Sequence, residues 1–387
     1  MEDPGAAASP AAAEWAGPGA APAISAQVMG PGDGYLLHYS TDVGSAWADP
    51  ASLSLGATFV PGAGTPGGPP RAPLRDPAAF EAAVACGFEA SPTWHQGRLT
   101  PQERGAGGFL GSTTDAAAWA FGIRPTAGWG DAPPARQRAT AGWLAALPVF
   151  EPHWQVCMAR GLATGWLEWG GTRYDFVDAP AYAEKNWGGG FPSRWWWVQC
   201  DAWDDAGGGG GGGDTDAALT AVGARRLLPT PPGLPPQWED VGMIGLHVGG
   251  SFFECVPWVG DVGWEVEPWG SWAARGETAT HEVELEATCA AQGTPLRAPT
   301  ADRGLAVLCR DSFAGALTVR LYEKGAGGGG RRLVRTLTSD RAAVEVGGGP
   351  WARRWAAQAR MREPFRSLVK AGVDPSKWPA RLRPPGL

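Results

Sequence analysis

Glycine and proline punctuate this chain so densely, at 59 and 36 of 387 positions, that few stretches are long enough for a helix. Glycine weakens helix interiors through backbone entropy, and proline through its fixed φ and missing N–H. The runs between them are short and rich in Trp, Val and Phe, which suit a pleated, half-buried surface. Short strands separated by turn residues are the all-β pattern. Two hairpins can be read directly. Trp166-Leu167-Glu168-Trp169 and Thr172-Arg173-Tyr174-Asp175-Phe176 flank Gly170-Gly171, and 243–248 and 251–256 flank Gly249-Gly250. Gly-Gly suits the two-residue primed turns, whose central residues need positive φ. Further strands are expected at 154–159, 195–203, 264–267, 281–288, 305–310, 317–323 and 333–337. Val283-Glu284-Leu285-Glu286-Ala287 alternates apolar with acidic, which leaves one face wet. The Ala- and Arg-rich segment 351–370, stopped before Pro375, is read as a peripheral helix.

The length allows two domains with sizeable cores. A glycine run at 207–213 falls between two β-rich halves. It lacks the Lys-Ser/Thr of a phosphate-binding loop, so it reads as a loop insertion. The expected division is a disordered Ala/Pro/Gly tail at 1–26, domains at 27–214 and 215–350, and a tail with a short helix at 351–387. A second glycine run, 327–330, is expected at a hairpin tip.

Several function classes drop out. A net charge of -7 argues against nucleic acid, which asks for a basic patch. Six cysteines without C-x-x-C spacing argue against zinc or redox motifs, and are read as reduced and mostly buried. No run approaches the ~20 apolar residues of a membrane span, and no targeting signal is expected at the N-terminus. No G-x-S-x-G elbow is present, no G-x-G-x-x-G opens a strand–helix unit, and the five histidines are scattered. Neither a metal nor another cofactor is therefore expected.

The remaining signal is aromatic. Twenty-two tryptophans against five tyrosines imply packed cores and at least one aromatic-lined cavity. Polar residues sit among them in Trp94-His95-Gln96-Gly97, Trp129-Gly130-Asp131, Phe150-Glu151-Pro152-His153-Trp154-Gln155, and Tyr182-Ala183-Glu184-Lys185-Asn186-Trp187-Gly188-Gly189-Gly190-Phe191-Pro192. An acid beside Trp in a dry pocket keeps its proton to higher pH, because burial disfavours the charged form. The plainer alternative is that these acids make salt bridges at sheet rims.

These same stretches carry a family resemblance. Residues 140–159, 182–192 and 293–300, with Gly347-Gly348-Gly349-Pro350-Trp351, form long strings in order. Arg124-Pro125, 128–131, 94–97, 253–258 and Pro384-Pro385-Gly386-Leu387 agree as well. Over residues 27–387 the chain resembles the tocopherol cyclase family of plastid vitamin E biosynthesis. The resemblance implies two lipocalin-like antiparallel barrels, and an intramolecular lyase (isomerase) that closes the chromanol ring of a prenylquinol. It also implies a peripheral lipid surface as partner, and residence on chloroplast plastoglobules. The family's transit peptide and an early Gly-Trp-Tyr strand have no counterpart here, so the first barrel is expected to be incomplete at its N-terminus.

Glu184-Lys185-Asn186-Trp187-Gly188 is similar to an acid-base-x-Trp-Gly motif that faces the pocket in related carotenoid-hydratase-like proteins. By that likeness Glu184 leads as the acid that protonates the alkene, with Asp131 and Glu151 as rivals. His153, His95 and Lys185 are candidates for base or orienter. Trp154 and Trp187 are expected to face the cation, and Trp94, Trp129 and Asn186 to bind substrate. Two other classes stay open: a non-catalytic prenyl-lipid carrier, and a hydratase that admits water to the same cation.

Overall fold

The computed structural model describes residues 23–49, 53–63, 74, 76–101, 112–131, 137–142, 144, 152–188, 191–204, 216–228, 233, 235–300, 304–325, 330–349, 351–371 and 379. The first strands are β1 (Ile24–Gly30), β2 (Gly34–Ser40), β3 (Ala46–Asp49) and β4 (Ser54–Pro61). Helix α1 (Pro77–Ala83) follows, then β5 (Val84–Ala90), β6 (Trp94–Leu99), β7 (Ala117–Ala127), β8 (His153–Trp169), β9 (Thr172–Trp187) and β10 (Arg194–Cys200). Next come β11 (Ala218–Leu228), β12 (Gln237–Val248), β13 (Ser251–Cys255), β14 (Val262–Val266), β15 (Ser271–Glu277) and β16 (His281–Thr288). The chain continues through β17 (Thr294–Thr300), β18 (Gly304–Lys324), β19 (Arg331–Gly348), β20 (Trp355–Ala359) and α2 (Phe365–Lys370).

The chain forms two units. The first comprises Met1–Pro125, Gly161–Ala181 and Thr294–Val307; the second comprises Thr126–Arg160, Tyr182–Gly293 and Leu308–Leu387. The expected boundary at 214/215, the glycine run at 207–213 and residues 1–22 of the expected tail lie outside the described residues. β1 already begins at Ile24.

In the first unit, β1 and β2 form an antiparallel hairpin, and β3 opens a sheet of order β3-β4-β5-β6-β7-β8-β9, of which residues 126–127, 153–160 and 182–187 belong to the second unit. Leu36, Cys86, Leu99 and Ala117 form a small core with Val28, Phe59, Trp119 and Trp169 against it. Helix α1 has no counterpart among the expected elements. Asp76 caps it by accepting from Ala78 N–H at 3.2 Å, and Pro77 occupies the first turn.

The second unit is built on a sheet of order β13-β12-β11-β10-β19-β18-β16-β15-β14-β20. Its strands alternate cleanly. Trp196 and Val198 of β10, Leu219 and Ala221 of β11, Ile244 and Leu246 of β12, and Val344 and Val346 of β19 enter one core. Trp264, Trp272 and Trp355 complete that core from the far strands. The sheet therefore curls around a packed interior, bringing β12 beside β20.

The all-β class is as expected, but the closed barrels are not. Among the described residues no ladder closes either sheet. The end strands β13 and β20 have only five residues each, and Pro257, just past β13, has no N–H to extend a ladder. Both Gly-Gly turns form with positive φ, 55° and 80° at Gly170 and Gly171, and 58° and 75° at Gly249 and Gly250. The expected strands at 305–310 and 317–323 are one strand, β18. Register shifts around Gly315 absorb the break as bulges rather than a turn. The tip 326–329 lies outside the described residues, and Gly325 N–H reaches Gly330 O at 2.9 Å beside it. Segment 351–370 is not one helix. Its alternation puts Trp355 and Ala359 in the core as β20, paired to β14, and only Phe365–Lys370 is helical.

Candidate functional site

The second unit holds a cavity of about 210 Å³. It lies on the face of the curled sheet opposite the core. Period-two alternation puts Trp195 and Trp197 of β10 on this face while Trp196 turns inward. Val222 and Ala224 of β11 and Met243 of β12 extend the apolar floor. His153 and Trp154 at the start of β8, and Glu184 and Asn186 near the end of β9, form the opposing wall. The rim carries Asp240, Trp258, Arg360, Met361 and the Arg226–Glu239 ion pair, at 2.6 Å.

Four carboxyl groups line the cavity, Glu239 and Asp240 at the rim and Glu184 and Glu345 beside the tryptophans. Of the latter pair, Glu184 is the better tied. Its Oε2 accepts from Trp154 Nε1 at 2.8 Å and from the Tyr182 hydroxyl at 2.7 Å. Its Oε1 accepts from Asn186 Nδ2 at 3.2 Å. Residues 182, 184 and 186 are alternate positions of one strand, so they share a face. Burial, followed by the Glu184 charge, holds the Tyr182 hydroxyl well above its usual range, so it stays a donor.

Glu345 is the second. It lies on β19 opposite Trp197, and its Oε1 accepts from Trp195 Nε1. Trp195 is opposite Gly347, and a Cβ on Gly347 would stand 2.0 Å from the indole. Only glycine leaves room for the ring to lie over β19. Burial pushes the Glu345 carboxyl up to about 7, and the Glu184 charge pushes the same way; the indole N–H and the Cys309 thiol oppose it. Cys309, Asp311 and Glu345 bring their side-chain donor atoms within 4.8 Å of one another. Burial raises the Cys309 thiol well above its ordinary value. Cation ligands must be deprotonated, so this cluster reads as a place where protons are held.

The other sequence candidates scatter. Glu151 lies outside the described residues. His153 lines the cavity; its buried Nδ1 has no partner among the described residues, and its ring stacks on Trp187 at 4.9 Å. Trp187 and Lys185 are exposed behind it, with Lys185 Nζ 5.2 Å from the Trp187 ring centroid, and neither lines the cavity. Asp131 is exposed and accepts from Phe252 N–H at 3.0 Å, at the start of β13. Trp129 is fully buried and donates to Glu254 at 2.7 Å. Neither lines the cavity. Trp94 and His95 belong to the first unit, where His95 stacks on Phe121 at 5.2 Å and burial lowers its pKa. Thus Glu184, His153, Trp154 and Asn186 come together, while Asp131, Lys185, Trp94, His95, Trp129 and Trp187 stand apart from the cavity.

Sequence reading missed Glu345, Trp195 and Trp197. The available signals were the run Trp195-Trp196-Trp197, and an acid set between Val344 and Val346 two residues ahead of a conspicuous glycine string.

Known proteins resemble this chain along nearly its whole length. Residues 8–348 match a family described as tocopherol cyclase-like. A probable chloroplastic tocopherol cyclase of Oryza sativa subsp. japonica is 42% identical over 366 residues, 94% of this chain and 74% of the relative. A chloroplastic tocopherol cyclase of Zea mays is also 42% identical, over 94% of this chain and 73% of its own length. The crystal structure of CghA with Sch210972 aligns at a TM-score of 0.37 and 9% identity, over 84% of this chain and 85% of that one. That likeness is too distant to bear on the fold.

Proposed function

The chain belongs to the tocopherol cyclase-like family, and on that footing we propose that its second unit closes a phytyl-substituted benzoquinol to a chromanol in the chloroplast. The reaction is an isomerisation by an intramolecular lyase. A proton adds to the trisubstituted alkene, a tertiary cation forms, the neighbouring phenol oxygen attacks it, and the phenol proton leaves. Atoms and electrons balance within the substrate.

The observation that carries this reading is one tryptophan-walled cavity with carboxyl groups in its wall. Trp154, Trp195 and Trp197 present aromatic surface, and a cation over such a ring gains on the order of 0.5–2 kcal/mol. The apolar floor keeps water off that side of the cation, which water would otherwise capture. Glu184, fixed by Trp154, Tyr182 and Asn186, is set to accept a hydrogen bond from the phenol and to orient its oxygen. His153 Nδ1 offers a further polar contact at the same wall. The test is incubation of the purified protein with a phytylated benzoquinol. Chromanol is the expected product. Bound but unchanged quinol would favour a carrier, and a tertiary alcohol a hydratase.

The substrate's tail favours delivery from a lipid surface, such as a plastoglobule. One register step beyond the rim pair Arg226–Glu239, the facing residues Leu227 and Trp238 are 51% and 48% exposed. Past the lining residues Arg360 and Met361, α2 exposes Phe365 and Leu368 beside Arg362 and Lys370. Arg366 ties α2 down by donating to Val259 O at 2.8 Å. Apolar side chains flanked by cations suit an anionic lipid interface. Replacing Phe365 and Leu368 with Asp should abolish sedimentation with anionic vesicles; unchanged sedimentation would move the lipid contact elsewhere.

A further inference from the structure

Resting on that reading, we propose that Glu345 is the proton donor of the ring closure and Glu184 the proton acceptor. The two carboxyl groups line the same cavity from different strands, β19 and β9. Their partners differ in kind. The oxygens of Glu184 take three donors, from Trp154, Tyr182 and Asn186, which fix its carboxyl group in the cavity wall. Glu345 takes the Trp195 indole N–H and the Cys309 thiol, both neutral, and among the described residues no Lys or Arg is seen in an ion pair with it. The strand face around it offers Cys309 and Asp311 of β18.

An alkene is a very weak base, so its acid must be un-ionised, desolvated and held against it. Glu345 meets the first demand as pH falls below about 7, because burial and the facing Glu184 charge both keep its proton on. The groups facing Glu345 are Glu184 from β9, and Cys309 and Asp311 from β18; Trp195 and Trp197 of β10 do not titrate. Arg226, Glu239, Asp240 and Arg360 stand around the same cavity.

The proton count closes. The Glu345 O–H bond breaks as a C–H bond forms at the less substituted alkene carbon. The phenol O–H breaks as its oxygen bonds the tertiary carbon, and that proton goes to Glu184. Transfer from Glu184 back to Glu345 restores both groups, so the net change is isomerisation alone.

The test uses full-length protein, a phytylated benzoquinol, and chromanol as the readout. Glu345→Gln should lower kcat at least about 100-fold, with the Kd for quinol held within a few-fold by tryptophan fluorescence. In the wild type, kcat should fall as pH rises through about 7. Cys309→Ala removes a group that holds Glu345 down, so that descending limb should move to higher pH. The limb shift serves if Glu345→Gln fails to fold. Near-normal turnover by Glu345→Gln, or a limb unmoved by Cys309→Ala, overturns the assignment while chromanol formation by the wild type stands. Absence of chromanol from the wild type would instead overturn the function itself.

Discussion

Two corners of the second unit use the same device to different ends. At one, Trp129 donates its indole N–H to Glu254 at 2.7 Å. At the other, Trp195 donates to Glu345. Each indole lies over a glycine: a Cβ on Gly245 would meet Trp129 at 2.5 Å, and one on Gly347 would meet Trp195 at 2.0 Å. Burial raises both acids. The difference is the counter-charge. Arg138 stands 3.3 Å from Glu254 and holds its proton affinity down, whereas Glu345 faces a second carboxyl group, Glu184. With a cation, a buried glutamate becomes a strut that ties segments together; with an anion, it becomes a store for a proton.

The most damaging way to break the comparison is through the glycines. Gly347→Ala places a methyl group inside the Trp195 ring, and overpacking of this kind costs typically about 1–3 kcal/mol. Gly245→Ala should cost a similar amount at Trp129. Only Gly347→Ala should also cut chromanol formation, by about tenfold or more, because it alone moves the indole that positions Glu345. Thermal melts and turnover of the two variants check this. Equal loss of turnover in both would mean that the Trp195 corner has no special part.

Local features of the molecule were legible in the sequence because their causes are local. The Gly-Gly turns need positive φ wherever they stand, and the alternation of 283–287 puts Val283, Leu285 and Ala287 in the core whatever the sheet order. The site was legible only where its partners are close in sequence: Tyr182, Glu184 and Asn186 are two residues apart and share a face. Glu345 was not, because the indole that meets it is 150 residues away and its burial exists only once β10 and β19 pair. Asp131 misled for a related reason. Adjacency to Trp129 suggested a shared pocket, yet Trp129 is fully buried and Asp131 points to solvent. Barrel closure failed as an expectation because it depends on what the end strands β13 and β20 can reach, which no local pattern encodes.

A smaller effect should convert the first corner toward the second. Arg138→Ala removes the cation from Glu254, and the carboxyl, already raised by burial, should rise further. An acid with a raised folded pKa binds its proton more tightly folded than unfolded, so its contribution to stability is lost as pH rises. The variant should therefore match the wild type at a pH below the ordinary carboxylate range, and fall behind as pH climbs past it. The Arg138 side chain is 53% exposed, so the deficit at neutral pH should be only about 1 kcal/mol. Urea melts at several pH values check it; a deficit independent of pH would assign the loss to the Arg138–Phe252 contact, at 5.8 Å, instead.

The smallest effect tests whether the acids beside these corners matter at all. Asp131 accepts one backbone hydrogen bond, from Phe252 at the start of β13, and its charge pushes Glu254 upward. Asp131→Ala loses the bond, worth about 0.5–1.5 kcal/mol, less because the site is exposed. It also relieves Glu254 of a neighbouring negative charge, which partly offsets the loss above the carboxylate range. Stability should fall by less than about 1 kcal/mol, and chromanol turnover should stay within a factor of two of the wild type. A large fall in turnover would return Asp131 to the reaction. It would also mean that the division between a charge-paired strut and a proton-holding corner is drawn in the wrong place.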